Sequence, residues 1–206
     1  MEFDAVVIGG GPSGATAAEQ MARNGAKVAL IDREGRIKPC GGAIPPRLIA
    51  DFDIPDHLLV ARIRTARMIS PTHRTVDIPI ENGFVGMVDR EDFDAFLRER
   101  AGRAGAYRRT GTFLRVERDD AGTKVVYRDK QSGKEMTLPT RLVIGADGAR
   151  SDVARAEVPG GAEIPYVIAY HEVIEAPVNG AAQAAAYDPD RCDVIYDGAI
   201  SPDFYG

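Results

Sequence analysis

Apart from Asp4, the stretch Phe3 to Ile8 is apolar and rich in β-branched side chains. That is the pattern of a strand buried on both faces of a parallel sheet. Gly9 to Gly14 follow as a glycine-rich turn. Ser13 to Asn24 is alanine-rich and helical, and Gly25 stands where a helix-ending glycine belongs. A second buried strand, Lys27 to Ile31, closes at Asp32. Together these elements form a βαβ unit of about 30 residues.

Further on, Arg62 to Ser70, Arg74 to Ile80 and Phe84 to Val88 read as strands. Arg90 to Ala104 carries Phe93, Phe96, Leu97 and Ala101 at helical spacing, with Asp89 as N-cap. Thr112 to Glu117, Lys124 to Arg128 and Glu135 to Leu138 are short strands separated by Asp119-Asp120-Ala121-Gly122 and Gln131-Ser132-Gly133, a meander. Arg141 to Ile144 is another buried strand, leading into Gly145-Ala146-Asp147-Gly148-Ala149-Arg150-Ser151 and a new helix. Tyr166 to Val173 and Asp193 to Ile200 are expected strands of a second region. The chain stops at Gly206 with neither a closing helix nor a polar tail, and is expected to be a fragment.

Charge narrows the partners. A formal net charge of -5 argues against nucleic acid, which calls for a basic stripe. Two cysteines, Cys40 and Cys192, make no disulfide framework, so a reducing, cytoplasmic compartment is the simpler expectation. The start MEFDAVVIGG carries Glu2 and Asp4 and no basic segment, unlike a signal peptide. No apolar run approaches the roughly 20 residues that span a bilayer. Peripheral membrane contact stays open.

Gly9, Gly11 and Gly14 satisfy G-x-G-x-x-G around Pro12 and Ser13. Such a turn brings backbone close to a pyrophosphate and aims the helix N-terminus at it. A bare glycine turn is the alternative. Here the motif follows a strand, opens a helix and is answered by an acid at the end of the next strand, which is the context it requires. Asp32 would accept from a ribose 2′-hydroxyl and repel a 2′-phosphate, so FAD or NAD suits this pocket better than NADP. Arg33 reads as a surface arginine. Asp147 and Gly148, at a strand-to-helix turn, are candidates to meet a ribose or to order water near a pyrophosphate, although Asp-Gly is also a common turn. Arg90 opposes the dipole of the helix it opens. His57, His73 and His171 have neither a nucleophile partner nor metal spacing.

The segments IGGGPSG, VDREDFDAFL and GADGARS together resemble the FAD-dependent hydroxylase-type flavoproteins. The resemblance implies an α/β fold: a Rossmann-like FAD-binding domain, with a meander on its sheet, joined to an antiparallel-sheet substrate domain. It assigns 1–60 and 90–160 to FAD, 61–89 and 161–206 to substrate, and Arg90 to the FAD pyrophosphate. Within that group, KPCGGAIPP, GFVGMVDREDFD and SPDFYG are similar to the geranylgeranyl reductases, specifically the chlorophyll and bacteriochlorophyll branch. The later family segments are absent. The likeness implies reduction of isoprenoid C=C bonds of geranylgeranyl diphosphate or a geranylgeranylated pigment by NADPH through FAD, and allows a place at the periphery of the photosynthetic membrane. It places Cys40, Gly41 and Gly42 near the flavin, makes Cys40 a candidate proton donor, and puts Tyr205 in the isoprenoid pocket. A buried, inert thiol is the alternative for Cys40. Cys192 reads as structural. Rival functions are an aromatic hydroxylase, an archaeal-type prenyl-lipid reductase and a non-catalytic nucleotide-binding module.

Overall fold

The computed structural model describes residues 2–35, 40–81, 83–165, 170–172 and 188–199. In chain order the elements are β1 (Phe3–Ile8), α1 (Pro12–Arg23), β2 (Val28–Asp32), β3 (Ala43–Ile44), α2 (Pro46–Asp51), a 3-10 turn (Asp56–Leu58), β4 (Leu59–Ile63), β5 (Thr65–Ile69), β6 (Thr75–Pro79), β7 (Val85–Val88), α3 (Arg90–Arg103), β8 (Tyr107–Asp119), β9 (Gly122–Asp129), β10 (Glu135–Gly145), α4 (Asp152–Glu157) and β11 (Arg191–Ile195). They fall into two compact units, Met1–Ile37 with Phe93–Tyr166 and Lys38–Asp92 with Val167–Gly206.

The first unit is built on the expected βαβ. β1 pairs in parallel with β2 and with β10, and β2 pairs in parallel with β8. β9 runs antiparallel to both β8 and β10, which closes the five strands into a ring. Two expectations are corrected here. The separate strands at 135–138 and 141–144 are one strand, β10. Its first part pairs with β9 as far as Thr140, and from Thr140 onward it pairs with β1. Pro139, which has no N–H to give a ladder, sits at that change of partner. Likewise β8 starts at Tyr107, five residues before the expected Thr112, because its first residues pair with β2. Val6, Ile31, Phe113, Val125, Tyr127 and Val153 form the core. Ala15 and Ala18, both fully buried, give α1 a small-residue face toward β1 and β2. Glu19 is buried on the same helix, 2.7 Å from Arg23 Nη2 and 2.7 Å from Arg100 Nε of α3.

The second unit holds two small sheets, ordered β3-β7-β4 and β11-β5-β6. The single strand expected over Arg62–Ser70 is two strands, and they belong to different sheets. At the break the Arg64 amide donates to the Asp190 carbonyl (2.7 Å) and the Ile80 amide donates to the Arg64 carbonyl (2.8 Å). Residues 40–60, expected within the FAD domain, group with this unit because β3 and β4 both pair with β7. The strand expected at Asp193–Ile200 begins at Arg191 and ends at Ile195. Of the strand expected at Tyr166–Val173, residues 170–172 are not in a strand, and the rest lie outside the described residues. In the β11-β5-β6 sheet, alternation sets Ala66, Met68, Val76, Ile78, Cys192 and Val194 on one face, and Arg67, Asp77 and Asp193 on the other. Among the described residues no helix is long and apolar enough to cross a membrane.

Candidate functional site

The glycine turn lies between the ends of three strands. The Gly9 amide donates to the Ile31 carbonyl (2.8 Å), and the Ala146 amide donates to the Ile8 carbonyl (2.7 Å). Gly9 has φ +100°, and a Cβ there would stand 2.4 Å from the Ala146 oxygen. A Cβ on Gly14 would stand 1.9 Å from the Gly9 oxygen. Both contacts fall inside van der Waals distance, so each position demands glycine. Gly11 is the N-cap of α1 and makes no side-chain cap hydrogen bond, and Pro12 follows as the first helical residue. The amides of Ser13 and Gly14 therefore have no capping side chain. Together with the positive end of the helix dipole they suit a diphosphate.

Asp32 ends β2 beside this turn. Its Oδ2 accepts from the Gly10 amide at 2.7 Å and its Oδ1 from the Glu34 amide at 2.9 Å. Arg98, from the middle of α3, donates to the Gly10 carbonyl at 3.2 Å and lies 3.8 Å from Asp32 Oδ1. Asp32, Glu34, Arg98, Arg108, Arg109 and Thr110 line a cavity of about 170 Å³. Arg33 is exposed. The cradle and its acid fit a dinucleotide, as the motif implied. Sequence reasoning passed over Arg98. The signal available was Gly10, a fourth glycine at a position where the fingerprint tolerates any residue.

Asp147 has an internal job. Its Oδ1 accepts from the Ser151 hydroxyl, and its Oδ2 from the amides of Asp152 (2.7 Å) and Val153 (3.2 Å). Ser151 in turn caps α4 by accepting from the Ala154 amide at 2.8 Å. The carboxylate thus organises the strand-to-helix turn, and only its remaining lone pairs are left for a ligand. Gly148 is exposed in the same turn.

Gly9, Gly11, Pro12, Ser13, Gly14, Asp32, Arg33, Asp147 and Gly148 all belong to the first unit. Cys40, Gly41, Gly42 and Arg90 belong to the second, and Tyr205 lies outside the described residues. Cys40 is exposed in this chain. Gly42 is held for a local reason. It has φ +71°, a Cβ there would be 2.0 Å from the Val88 oxygen, and its carbonyl accepts from the Val88 amide at 3.0 Å. Gly41 has open space around it. Arg90 is half-buried, and Asp89 Oδ1 accepts from the Glu91 amide at 2.8 Å in the first turn of α3. Cys192 is exposed on the apolar sheet face.

The family model for pyridine nucleotide-disulphide oxidoreductases matches residues 3–182. A geranylgeranyl diphosphate reductase of Rhodobacter capsulatus is 70% identical over 206 residues, covering 100% of this chain and 51% of that protein. The chloroplastic geranylgeranyl diphosphate reductase of Oryza sativa is 38% identical over 97% of this chain and 45% of its own length. Among solved structures, a geranylgeranyl bacteriochlorophyll reductase-like protein of Thermoplasma acidophilum superposes with a TM-score of 0.77 at 23% identity, over 95% of this chain and 50% of that one. The chain spans about half the length of the curated relatives it matches. It belongs to the pyridine nucleotide-disulphide oxidoreductase family, and along its whole length it is similar to the corresponding half of the geranylgeranyl diphosphate reductases.

Proposed function

We propose that this chain carries the nucleotide site of an FAD-dependent reductase that saturates isoprenoid C=C bonds of a geranylgeranyl group, with NADPH as donor. The observation that carries the reading is the 70% identity, unbroken over the chain, with the Rhodobacter reductase. Acceptors of the proposed class are geranylgeranyl diphosphate and geranylgeranylated (bacterio)chlorophyll, met peripherally at a membrane. The apolar face formed by Met68, Val76 and Ile78 supports a lipophilic partner.

FAD, when bound, supplies hydride transfer from NADPH to one alkene carbon. The chain's own residues have separate duties. Gly9, Gly11 and Gly14 admit the diphosphate, and the amides after Pro12, at Ser13 and Gly14, bind it. Asp32 accepts from the ribose and, by its charge, keeps a 2′-phosphate out, so NADPH does not compete here. Arg90 offsets diphosphate charge, with Arg33 as an exposed reserve. Asp147 and Gly148 shape the turn that closes the site. Gly41 and Gly42 carry the Cys40 loop. The second alkene carbon needs a proton, which Cys40 Sγ–H donates before its thiolate regains one from water. The balance is one NADPH and one proton consumed, and one NADP⁺ formed, per C=C saturated.

The test is stopped-flow mixing of NADPH-reduced full-length protein with geranylgeranyl diphosphate under argon. Reoxidation of the flavin without oxygen is expected. Reoxidation only when air is admitted would favour a hydroxylase.

A further inference from the structure

We propose that Arg98 is a positioning residue of the nucleotide site, fixing the Asp32 carboxylate for the ribose it receives. This rests on reading the β1–α1–β2 turn as an FAD site. The groups involved come from three elements and close a circuit. Gly10 donates its N–H to Asp32 Oδ2 at 2.7 Å. Its carbonyl accepts from Arg98 Nη1 at 3.2 Å. The same nitrogen lies 3.8 Å from Asp32 Oδ1. One residue is thus held on both sides, by the acid at its amide and by the guanidinium at its carbonyl.

The circuit explains a residue the fingerprint does not. The position between the first two motif glycines is open to any amino acid in dinucleotide sites. Here a Cβ on Gly10 would lie 2.8 Å from Arg98 Cδ and 2.8 Å from Asp32 Cβ. The extra glycine is the space that Arg98 needs to reach the turn.

Arg98 gives something up for that reach. Its side chain is 16% exposed, and its Nε is buried with no hydrogen-bond partner, the one such side-chain atom among the described residues. Buried donors are normally satisfied. The guanidinium plane is therefore set by Gly10 and Asp32 and not by its own best bonding. What Asp32 gains is a fixed orientation, with an amide on each oxygen and a cation beside one of them. Asp32 and Arg98 line one cavity, so the carboxylate's remaining lone pairs are within a ligand's reach. The cation also offsets the repulsion between that carboxylate and a diphosphate at the adjacent helix end.

The experiment titrates full-length apoprotein with FAD and with the FAD analogue lacking the adenosine 2′-hydroxyl, following flavin fluorescence. Wild type is expected to prefer FAD by about 10-fold, the scale of one hydrogen bond to a charged group. Arg98→Met should bind FAD more weakly and lose most of that preference, and Arg98→Lys, which restores the charge, should recover part of it. A preference kept intact in Arg98→Met, whatever the affinity, overturns the proposal by assigning Arg98 to structure alone. Should Arg98→Met not fold, Arg98→Lys carries the test: an undiminished preference overturns the proposal. Wild type that binds FAD without preference overturns it too, yet leaves the FAD reading standing. Wild type that binds no FAD sinks both.

Discussion

In the proposed reaction the chemistry turns on two residues, Asp32 and Cys40. Asp32 is held by two amides, so Asp32→Ala removes an acceptor from the ribose and also frees the Gly10 and Glu34 N–H groups. FAD binding should weaken by about 1–3 kcal/mol, roughly 5- to 150-fold in Kd. Titration of full-length apoprotein checks this, and equal affinity would remove Asp32 from the site. Cys40 is exposed and its loop is tied down at Gly42, so its substitution should spare the fold. Cys40→Ala and Cys40→Ser should keep flavin and be reduced by NADPH at the wild-type rate. Reoxidation by the prenyl substrate should slow by about 10²–10⁴-fold, the usual scale for a lost general acid. Unchanged reoxidation in Cys40→Ala would end its role as proton donor, and loss of flavin would assign it to the loop.

Among the elements, α1 and α3 are coupled through Glu19, whose buried carboxylate meets Arg23 and Arg100. Arg23 is more than half exposed and only the carboxylate is fully buried, so Glu19→Ala should cost about 1–3 kcal/mol, the scale of lost hydrogen bonds to a charged group. Denaturant unfolding followed by far-UV circular dichroism measures it, and a loss below about 0.5 kcal/mol would mean that Glu19 does not couple the two helices. The same elements show what a sequence displays and what it hides. The βαβ unit was legible because Phe3 to Ile8, the glycine turn and Asp32 are consecutive signals with local causes. The continuity of β10 was hidden, since Pro139 reads as an end when only neighbours along the chain are considered. The break at Arg64 was hidden for the opposite reason, because it is made by Asp190, far along the chain. At the site, glycines with steric causes announced themselves. Arg98 did not, because its meaning lies in a contact with Gly10 from a different element. Asp147 was found, but its main duty as organiser of α4 depends on amides that only the folded turn lines up.

For the whole molecule, the proposal assigns nucleotide to the first compact unit and the prenyl chain to the second. The first unit's cradle fits a dinucleotide on its own geometry, and the match over residues 3–182 places it in an oxidoreductase family. The second unit supplies Cys40 and a sheet whose apolar face carries Val76 and Ile78 in the open. The central claim is that these parts serve reduction of an isolated alkene. Its most direct test is mass spectrometry of the prenyl product after full-length protein, FAD, NADPH and geranylgeranyl diphosphate are incubated under argon. The account predicts a prenyl chain that has gained hydrogen and no oxygen, with one NADPH consumed for each C=C saturated. An unchanged chain under argon, or an oxygenated product formed only in air, would contradict it.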